Sequence, residues 1–245
     1  LNYPVQDSIV GDAGTVLEAL CEAVSERKPS RADDVAAMRS ELRRQSIERC
    51  GHVVDLMDAV RSGTPREAIF VNDLTVAGYW GRYLLDVYEP RSYLYPWNFC
   101  TLGYALSASI GAATARRDCP VVVLTGDGGM LFNVQELATA RIEKIAAKAI
   151  ILNNQHLGMV VQWEDRFYAG NRGHTYLGDP DDMKKIYPDY VEMIKGFDVP
   201  VERVIYKRDL REALQRMLDS DQPYVLDVIV PYTEHVLPFI PAGKT

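Results

Sequence analysis

Two short apolar runs of the chain end in residues whose side chains offer oxygen ligands. Residues 121–125 lead into Asp127, which lies between glycines, and residues 150–152 lead into Asn153 and Asn154. If both runs are neighbouring strands of a parallel sheet, their carboxyl ends lie at one edge and these side chains can converge. Carboxylate and amide oxygens suit Mg²⁺, which takes its remaining ligands from water and a bound phosphate.

Longer motifs surround these positions. Gly126-Asp127-Gly128 followed by an Asn-Asn pair resembles the signature of thiamine diphosphate (ThDP) enzymes. The segments that closely resemble acetohydroxyacid synthase, also called acetolactate synthase, are residues 153–168, 174–180 and 234–241. A Gly-Asp-Gly tripeptide alone is weak evidence because many strand-to-helix turns contain it, whereas the long motifs are specific. The strong resemblance runs from about Gly126 to the C-terminus.

The resemblance implies a role for each polar residue of this region. Three groups would bind Mg²⁺ on the cofactor's diphosphate: the side chains of Asp127 and Asn154 and the backbone carbonyl of His156. Gly128 and Gly129 would bring N–H groups against phosphate oxygens. Without the resemblance, Asp127 is interpreted as a helix cap and the glycines as a tight turn. We expect Asn153 to brace the loop.

The same resemblance implies further cofactor contacts, by Leu74, Thr75, Cys100, Leu102, Leu157, Gly158 and Met159. Leu102 would wedge between the two rings of ThDP and bend them together; the alternative is an ordinary buried leucine. Met159 and Trp163 are four residues apart, so they share one face if this segment is helical. In the resembled synthases they border the substrate channel, and the tryptophan favours the larger acceptor; the alternative is core packing. Catalytic roles are therefore predicted for Leu102, Met159 and Trp163.

One loop departs from the pattern of these synthases. Thr75-Val76-Ala77 stands where they usually have Gly-Gln-His. Residues 65–110 resemble these synthases less than residues 126–240 do, and Asp73-Leu74-Thr75 and Tyr95-Pro96-Trp97 resemble a looser group of ThDP decarboxylases that act on 2-oxo acids. This loop therefore keeps a decarboxylase alternative open.

The composition indicates an acidic chain with an ordinary globular profile. Its 245 residues are 47% hydrophobic and 25% charged, with a net charge of −7, so we expect no affinity for nucleic acid or anionic membranes. No apolar run reaches the length of a membrane span, and no signal-peptide pattern is visible. Four cysteines without C-x-x-C spacing favour a reducing compartment, which is the cytoplasm or, in a plant, a plastid.

The order of predicted elements divides the chain at residue 30. Residues 1–30 contain a predicted strand (8–11), a helix (15–24) and a polar linker (25–30), which are too little for a domain. We interpret them as the tail of a preceding central domain; the alternative is a first βα unit of the same sheet. Residues 31–245 are predicted to form the ThDP- and Mg-binding domain with a C-terminal tail.

Strands and helices alternate along the predicted domain. Helices are expected at 33–50, 52–60, 190–197 and 209–218, and one helix between the runs at 121 and 150. Strands are expected at 68–71, 121–125, 150–152, 201–206 and 224–230. This alternation predicts an α/β fold, a parallel sheet with helices on both faces.

The resemblance also implies that a required part lies elsewhere. In this family the glutamate that activates the cofactor's pyrimidine comes from a separate N-terminal domain of a neighbouring subunit, and no segment here has that length. We therefore expect the chain to be inactive alone. Its partners would be a homo-oligomer or a complementing chain that supplies the glutamate, and FAD is possible in the complete enzyme.

The sequence hypothesis is the catalytic region of an acetohydroxyacid synthase-like transferase, as in branched-chain amino acid biosynthesis. The complete enzyme would decarboxylate pyruvate and transfer the two-carbon unit to a second 2-oxo acid, pyruvate or 2-oxobutyrate. Two alternatives stay open. One is a ThDP-dependent 2-oxo acid decarboxylase, and the other is a non-catalytic cofactor-binding or regulatory module.

Overall fold

The computed structural model describes residues 4–24 and 31–232. The predicted linker at 25–30 and the motif at 234–241 lie outside the described residues. The chain divides into two compact units, with a boundary between Glu48 and Arg49. Within the described residues, no helix has the length and apolar character that a bilayer crossing requires.

The unit before residue 49 is helical in its described part. Helix α1 (Ala13–Ala23) confirms the predicted helix and begins at Asp12, whose carboxylate accepts a hydrogen bond from the Thr15 N–H at 3.0 Å. The strand predicted at residues 8–11 is wrong: these residues have no regular structure and are exposed. A strand is stable only beside a hydrogen-bonded neighbour, and residues 8–11 pair with none among the described residues.

The helices predicted at 33–50 and 52–60 are both present and together make up α2 (Ala32–Gly63). The backbone between them is not helical at Cys50, where φ is −153° and ψ is 56°. Residues that follow this point, including Val53, Met57 and Val60, are buried. The second helix therefore packs one face into the core.

Six parallel strands form the sheet of the second unit, in the spatial order β2-β1-β3-β4-β6-β5. Their bounds are β1 Ile69–Asn72, β2 Tyr93–Leu94, β3 Val121–Gly126, β4 Lys148–Asn153, β5 Val201–Val204 and β6 Tyr224–Ile229. The predicted α/β fold with a parallel sheet is confirmed. Strand β2 was not predicted, because two residues are too short to show a periodic pattern.

Helices connect the strands. Their bounds are α3 Val76–Leu84, α4 Tyr104–Ala115, α5 Asp127–Asn133, α6 Glu136–Ile142, α7 Gly158–Phe167, α8 Tyr190–Lys195 and α9 Lys207–Asp219. The prediction of a single helix between β3 and β4 is wrong, because α5 and α6 are separate. At their junction the N–H groups of Leu137 and Ala138 bond to carbonyls only three residues back, which tightens the chain into a turn.

Alternate residues of each strand pack on opposite faces of the sheet. Val122 and Leu124 of β3 belong to a core cluster with α2, α3 and α9. Val121 and Val123 belong to a second cluster with α4, α5, α6 and α8. Both faces of the sheet are therefore covered by helices, which explains why its strands are apolar on both sides.

The connections after β1 and β3 leave the sheet toward opposite faces. Helix α3, which follows β1, packs its Trp80 into the first cluster, whereas α5, which follows β3, packs its Met130 into the second. Since β1 and β3 are neighbours, their connections diverge at the carboxyl edge of the sheet. Open α/β sheets bind ligands in the crevice formed at such a point.

The two parts of α2 differ in burial, which allows a matched test of the core. Met57 is 0% exposed and Met38 is 64% exposed. Met57→Ala should lower the free energy of unfolding by about 2–5 kcal/mol because it empties a packed site, whereas Met38→Ala should change it by less than about 0.5 kcal/mol. Urea unfolding followed by circular dichroism measures both. Equal effects of the two substitutions would contradict this packing.

Candidate cofactor-binding site

A cleft with an empty volume of about 930 Å³ opens at the carboxyl ends of the central strands. The cleft is lined by loops after β1, β2, β3, β4 and β6 and by the second part of α2. Of the residues with predicted cofactor roles, those in its lining are Leu74, Thr75, Leu102, Asp127, Gly128, Gly129, Asn154, His156, Leu157, Gly158 and Met159.

Asp127 is the buried carboxylate of the cleft. It is the first residue of α5 and only 3% exposed. Burial raises its pKa to about 7, although the N–H groups of Gly128, at 3.0 Å from Oδ1, and of Gln155 oppose the rise. Within residues 4–24 and 31–232, no cationic side chain forms an ion pair with it. A cation placed here would offset the cost of burying the charge.

Asn154 follows β4 and lies in a tightly turned loop. Its Oδ1 accepts a hydrogen bond from the His156 N–H at 3.0 Å, and its backbone oxygen is 2.6 Å from His156 Nδ1. The His156 ring lies between the rings of Tyr176 and Tyr232, with centroids 5.1 and 4.8 Å away. The Asn154 side-chain oxygen keeps a second lone pair, so it can still accept a metal.

A buried polar network fixes the end of β4. Asn153 donates from Nδ2 to Asp227 Oδ1 at 3.0 Å, and Arg203 donates from Nε to Asp227 Oδ2 at 2.8 Å. The Asn153 Oδ1 accepts from the Gln155 N–H at 3.3 Å. Asn153 therefore braces the loop, as the sequence predicts, and its side chain is directed to β6.

The two glycines after Asp127 are required by close packing. A Cβ atom on Gly128 would lie 3.0 Å from Leu157 Cδ2, and one on Gly129 would lie 2.6 Å from Asp73 Oδ2. The missing side chains let the first turn of α5 approach both neighbours. The same close approach would let their backbone face a phosphate group.

Asp73 is a second buried carboxylate that sequence reasoning missed. It follows β1 directly, and its oxygens accept hydrogen bonds from the N–H of Leu74 at 2.8 Å, the N–H of Gly103 at 3.0 Å and the hydroxyl of Thr125 at 3.0 Å. The sequence pattern could have identified Asp73, because an Asp after an apolar strand is the pattern that singled out Asp127. The prediction stopped at Leu74 and Thr75.

Thr75 and Cys100 differ in their position relative to the cleft. Thr75 lines the cleft and caps α3, since its hydroxyl oxygen accepts from the Gly78 N–H at 2.8 Å. Cys100 is exposed and lies outside the lining of the cleft. It precedes Leu102 in a loop where Cys100 itself has a positive φ of 49°. A cofactor contact by Cys100 stays a prediction.

Helix α7 carries the two residues expected at the substrate channel. Met159 lines the cleft, whereas Trp163, one turn later, is 49% exposed and outside the lining. The Trp163 ring lies beside Phe167, with centroids 5.0 Å apart. His52 lines the cleft from α2. No local sequence pattern placed α2 at the cleft.

The donor set fits a hard cation that carries a phosphate. In the described part of the chain, no cluster of three or more His, Cys, Asp or Glu side chains could hold a metal. The cleft instead combines one buried carboxylate, one amide oxygen and backbone carbonyls, which together suit Mg²⁺ with a diphosphate as co-ligand. The N–H groups at the start of α5 suit the same anion.

Comparison with known families agrees with this donor set. Residues 73–228 match the family described as "Thiamine pyrophosphate enzyme, C-terminal TPP binding domain". The chain therefore belongs to this family of ThDP-binding domains, and ThDP is the cofactor that the family match supports.

Within this family the chain is similar to acetolactate synthases. It is 39% identical over 96% of its length to acetolactate synthase 1, chloroplastic, of Oryza sativa subsp. japonica. It is 40% identical over 97% of its length to acetolactate synthase, chloroplastic, of Arabidopsis thaliana. The chain spans a little over a third of these relatives, 38% of the first and 37% of the second.

Solved structures support the fold. The chain superposes on the ThDP-dependent 4-hydroxybenzoylformate decarboxylase of Rhodococcus jostii RHA1 with a TM-score of 0.67 and 27% identity. The match covers 75% of this chain and 33% of that enzyme. Benzoylformate decarboxylase from Polynucleobacter necessarius gives a TM-score of 0.64 at 21% identity, over 75% of this chain and 33% of that one, and so shows the same fold.

The buried Asp127 predicts an unusual pH dependence of stability. Its folded-state pKa is raised from 3.8 to about 7, so the folded protein holds a proton that the unfolded chain has already released. Stability present below about pH 4 is therefore lost as the pH rises toward 7. Between about pH 5 and about pH 8 the metal-free protein should lose on the order of 2 kcal/mol through this group.

Asp127→Asn should remove this part of the pH dependence, because an amide does not ionise. Urea unfolding of the metal-free proteins at the two pH values measures the difference. Asp181→Asn, at an exposed carboxyl, is the control and should keep the wild-type profile. Parallel profiles for wild type and Asp127→Asn would contradict a perturbed carboxyl at this position.

Proposed function

We propose that this chain is the ThDP- and Mg²⁺-binding catalytic region of an acetohydroxyacid synthase-like enzyme. The complete enzyme would decarboxylate pyruvate and transfer the two-carbon unit to pyruvate or 2-oxobutyrate. One observation carries the proposal: Asp127 and Asn154 face the same cleft as Leu102 and Met159. The similarity to acetolactate synthases over nearly the whole chain supports this choice of reaction.

The anchoring part of the site would be polar. Asp127, Asn154 and the carbonyl of His156 would hold Mg²⁺, and the N–H groups of Gly128 and Gly129 would hold the diphosphate. A metal and backbone N–H groups are needed because the chain is acidic, with a net charge of −7. When bound, ThDP supplies the electron sink that lets a 2-oxo acid lose CO₂.

The reacting part of the site would be apolar. Leu102 and Met159 line the cleft and would hold the rings of the cofactor and keep water away from the transferred unit. Trp163 would lie at the mouth of the cleft, where an incoming acceptor passes. Exclusion of water favours transfer to a second 2-oxo acid over protonation, so these side chains would influence which product forms.

The proposal extends to parts that the chain does not contain. A neighbouring subunit of a homo-oligomer, or a complementing chain, would supply the glutamate that activates the pyrimidine. Residues 1–30 would belong to the preceding domain, and FAD would bind mostly outside the present region. The sequence has four cysteines without C-x-x-C spacing, and we therefore propose a reducing compartment, the cytoplasm or a plant plastid.

A decarboxylase is the second candidate. The similarity in fold to 4-hydroxybenzoylformate decarboxylase and the motifs Asp73-Leu74-Thr75 and Tyr95-Pro96-Trp97 favour it. Such an enzyme would protonate the two-carbon unit and release an aldehyde. A non-catalytic cofactor-binding module is the third candidate, and it would bind ThDP without consuming a 2-oxo acid.

Product analysis of the full-length protein separates these candidates. With pyruvate, ThDP and Mg²⁺, we expect acetolactate, whereas acetaldehyde as the main product would favour the decarboxylase. ThDP binding without pyruvate consumption would favour the module. The 245-residue chain alone should consume no pyruvate, because in this proposal the activating glutamate comes from another domain. Asp127→Ala in the full-length protein should abolish Mg²⁺-dependent ThDP binding, measured by titration calorimetry, and thereby product formation.

The position of Trp163 predicts an effect on acceptor choice. A rigid indole can contact the extra methyl group of 2-oxobutyrate, and one methyl group in an apolar pocket is worth about 1–3 kcal/mol. Trp163→Leu should lower the ratio of acetohydroxybutyrate to acetolactate at least roughly tenfold in a competition assay. Pyruvate decarboxylation should change much less, because Asp127 and Asn154 are untouched.

Phe167→Leu is the matched control for this assay. Phe167 is an exposed aromatic residue one turn further along α7, so its substitution removes a neighbouring ring without reaching the cleft. We expect the product ratio to stay at the wild-type value. If Trp163→Leu leaves the ratio unchanged while both products decline together, Trp163 is a packing residue.

A further inference from the structure

Asp73 is a buried carboxylate to which the proposed reaction assigns no role. It is 1% exposed and lies at the carboxyl end of β1, although the cleft is lined by the residues beside it, Leu74 and Thr75. Its backbone also continues the sheet, since its N–H donates to the Leu124 oxygen at 2.8 Å. A carboxylate is buried at this cost only where several donors stabilise it.

The first group of donors is the start of α4. The Gly103 N–H lies 3.1 Å from Asp73 Oδ1 and 3.0 Å from Oδ2, and the Tyr104 N–H also points to the carboxylate. Gly103 is the cap position of α4 and has no side chain to satisfy these N–H groups. Asp73 therefore caps α4 from a different element of the fold.

Gly103 cannot be replaced by a residue that caps the helix itself. Its φ is +85°, and a Cβ atom there would lie 2.7 Å from Phe132 Cβ. Its carbonyl also accepts a hydrogen bond from Asn133 Nδ2 at 2.7 Å. The start of α4 is thus held on both sides, by Asp73 at the N–H and by Asn133 at the carbonyl.

The second donor belongs to β3. The Thr125 hydroxyl donates to Asp73 Oδ2 at 3.0 Å, and Thr125 precedes Asp127 by two residues. Gly129 also approaches Asp73 so closely that a Cβ atom would lie 2.6 Å from Oδ2. One carboxylate therefore touches the segment that carries Asp127 and the segment that carries Leu102.

We propose that Asp73 is a positioning residue that holds Leu102 at a fixed place relative to the diphosphate-binding strand end. Leu102 immediately precedes Gly103 and lines the same cleft as Asp127 and Asn154. Its apolar side chain can contact only the organic part of a ligand that carries a diphosphate. The inference depends on cofactor binding by this domain and does not depend on which product the complete enzyme releases.

This geometry predicts that the diphosphate and the organic part of ThDP are bound by different parts of the cleft. Inorganic diphosphate with Mg²⁺ would contact only the polar strand ends, whereas ThDP would also contact Leu102. Loss of the Asp73 carboxylate frees the start of α4, but the Gly128 N–H keeps its bond to Asp127 and the Thr125 hydroxyl keeps its contact with the Gly126 oxygen. ThDP binding should therefore weaken more than diphosphate binding.

Titration calorimetry of the full-length protein with Mg²⁺ and either ligand measures this difference. Asp73→Ala should raise the Kd of ThDP at least about tenfold and the Kd of inorganic diphosphate less than about threefold. Asp73→Asn should restore both within about threefold, because its amide oxygen can accept from Gly103 and its NH₂ group can donate to the Thr125 oxygen.

Two further variants test whether Asp73 acts through its partners. Thr125→Val removes the hydroxyl at nearly constant shape, and its effect on ThDP should be less than additive with Asp73→Ala. Met217→Ala empties a fully buried site in α9, and should lower stability without changing the ratio of the two Kd values. All variants are compared below the unfolding temperature of the least stable one.

Three results would overturn the proposal. Asp73→Ala could weaken both ligands equally, which would mean that it only destabilises the domain. Asp73→Ala could also leave the Kd of ThDP unchanged, or Asp73→Asn could bind ThDP as weakly as Asp73→Ala does. In either case the capping of α4 by Asp73 would not determine ThDP binding. None of these readings uses turnover, so a protein that releases aldehyde instead of acetolactate still gives a clear result.

Discussion

The burial of carboxylates at the carboxyl ends of parallel strands is the constraint on which the cleft depends. Asp73 and Asp127 follow the neighbouring strands β1 and β3, and both are almost completely buried. Burial in a low-dielectric interior disfavours the charged form, so each carboxylate needs hydrogen-bond donors or a cation. The strand ends meet this need with backbone N–H groups from the helices that begin there, which fixes where α4 and α5 start.

The two carboxylates are stabilised to different degrees, and this difference separates their functions. Burial raises the pKa of both, but Asp73 is surrounded by donors from Leu74, Gly103 and Thr125. Asp127 lines the cleft and has a pKa raised to about 7. A carboxylate whose oxygens all accept hydrogen bonds from the protein holds neighbouring segments together. A carboxylate that is buried beside a cleft is instead suited to bind a metal ion.

The sequence predicts which residues lie at the strand ends, but it does not predict which distant segments pack beside them. Asp127 and Asn154 could be placed together because strands that alternate with helices pair in parallel, so their carboxyl ends share an edge. The lining contributed by α2 could not be predicted, because a helical apolar face does not say which part of a sheet it covers. The sequence also does not predict the turn between α5 and α6, because this turn interrupts the helix without a glycine or a proline.

The division between strand-borne and helix-borne residues has a consequence for specificity. Asp127 and Asn154 directly follow β3 and β4, which are paired with each other within the sheet. Met159 and Trp163 lie on α7, whose outer face is exposed at Trp163 and Phe167. Substitutions on α7 can alter the walls of the cleft without moving the strand ends. Under the proposed function, acceptor preference could therefore change between related chains while the residues proposed to hold the cofactor stay in place.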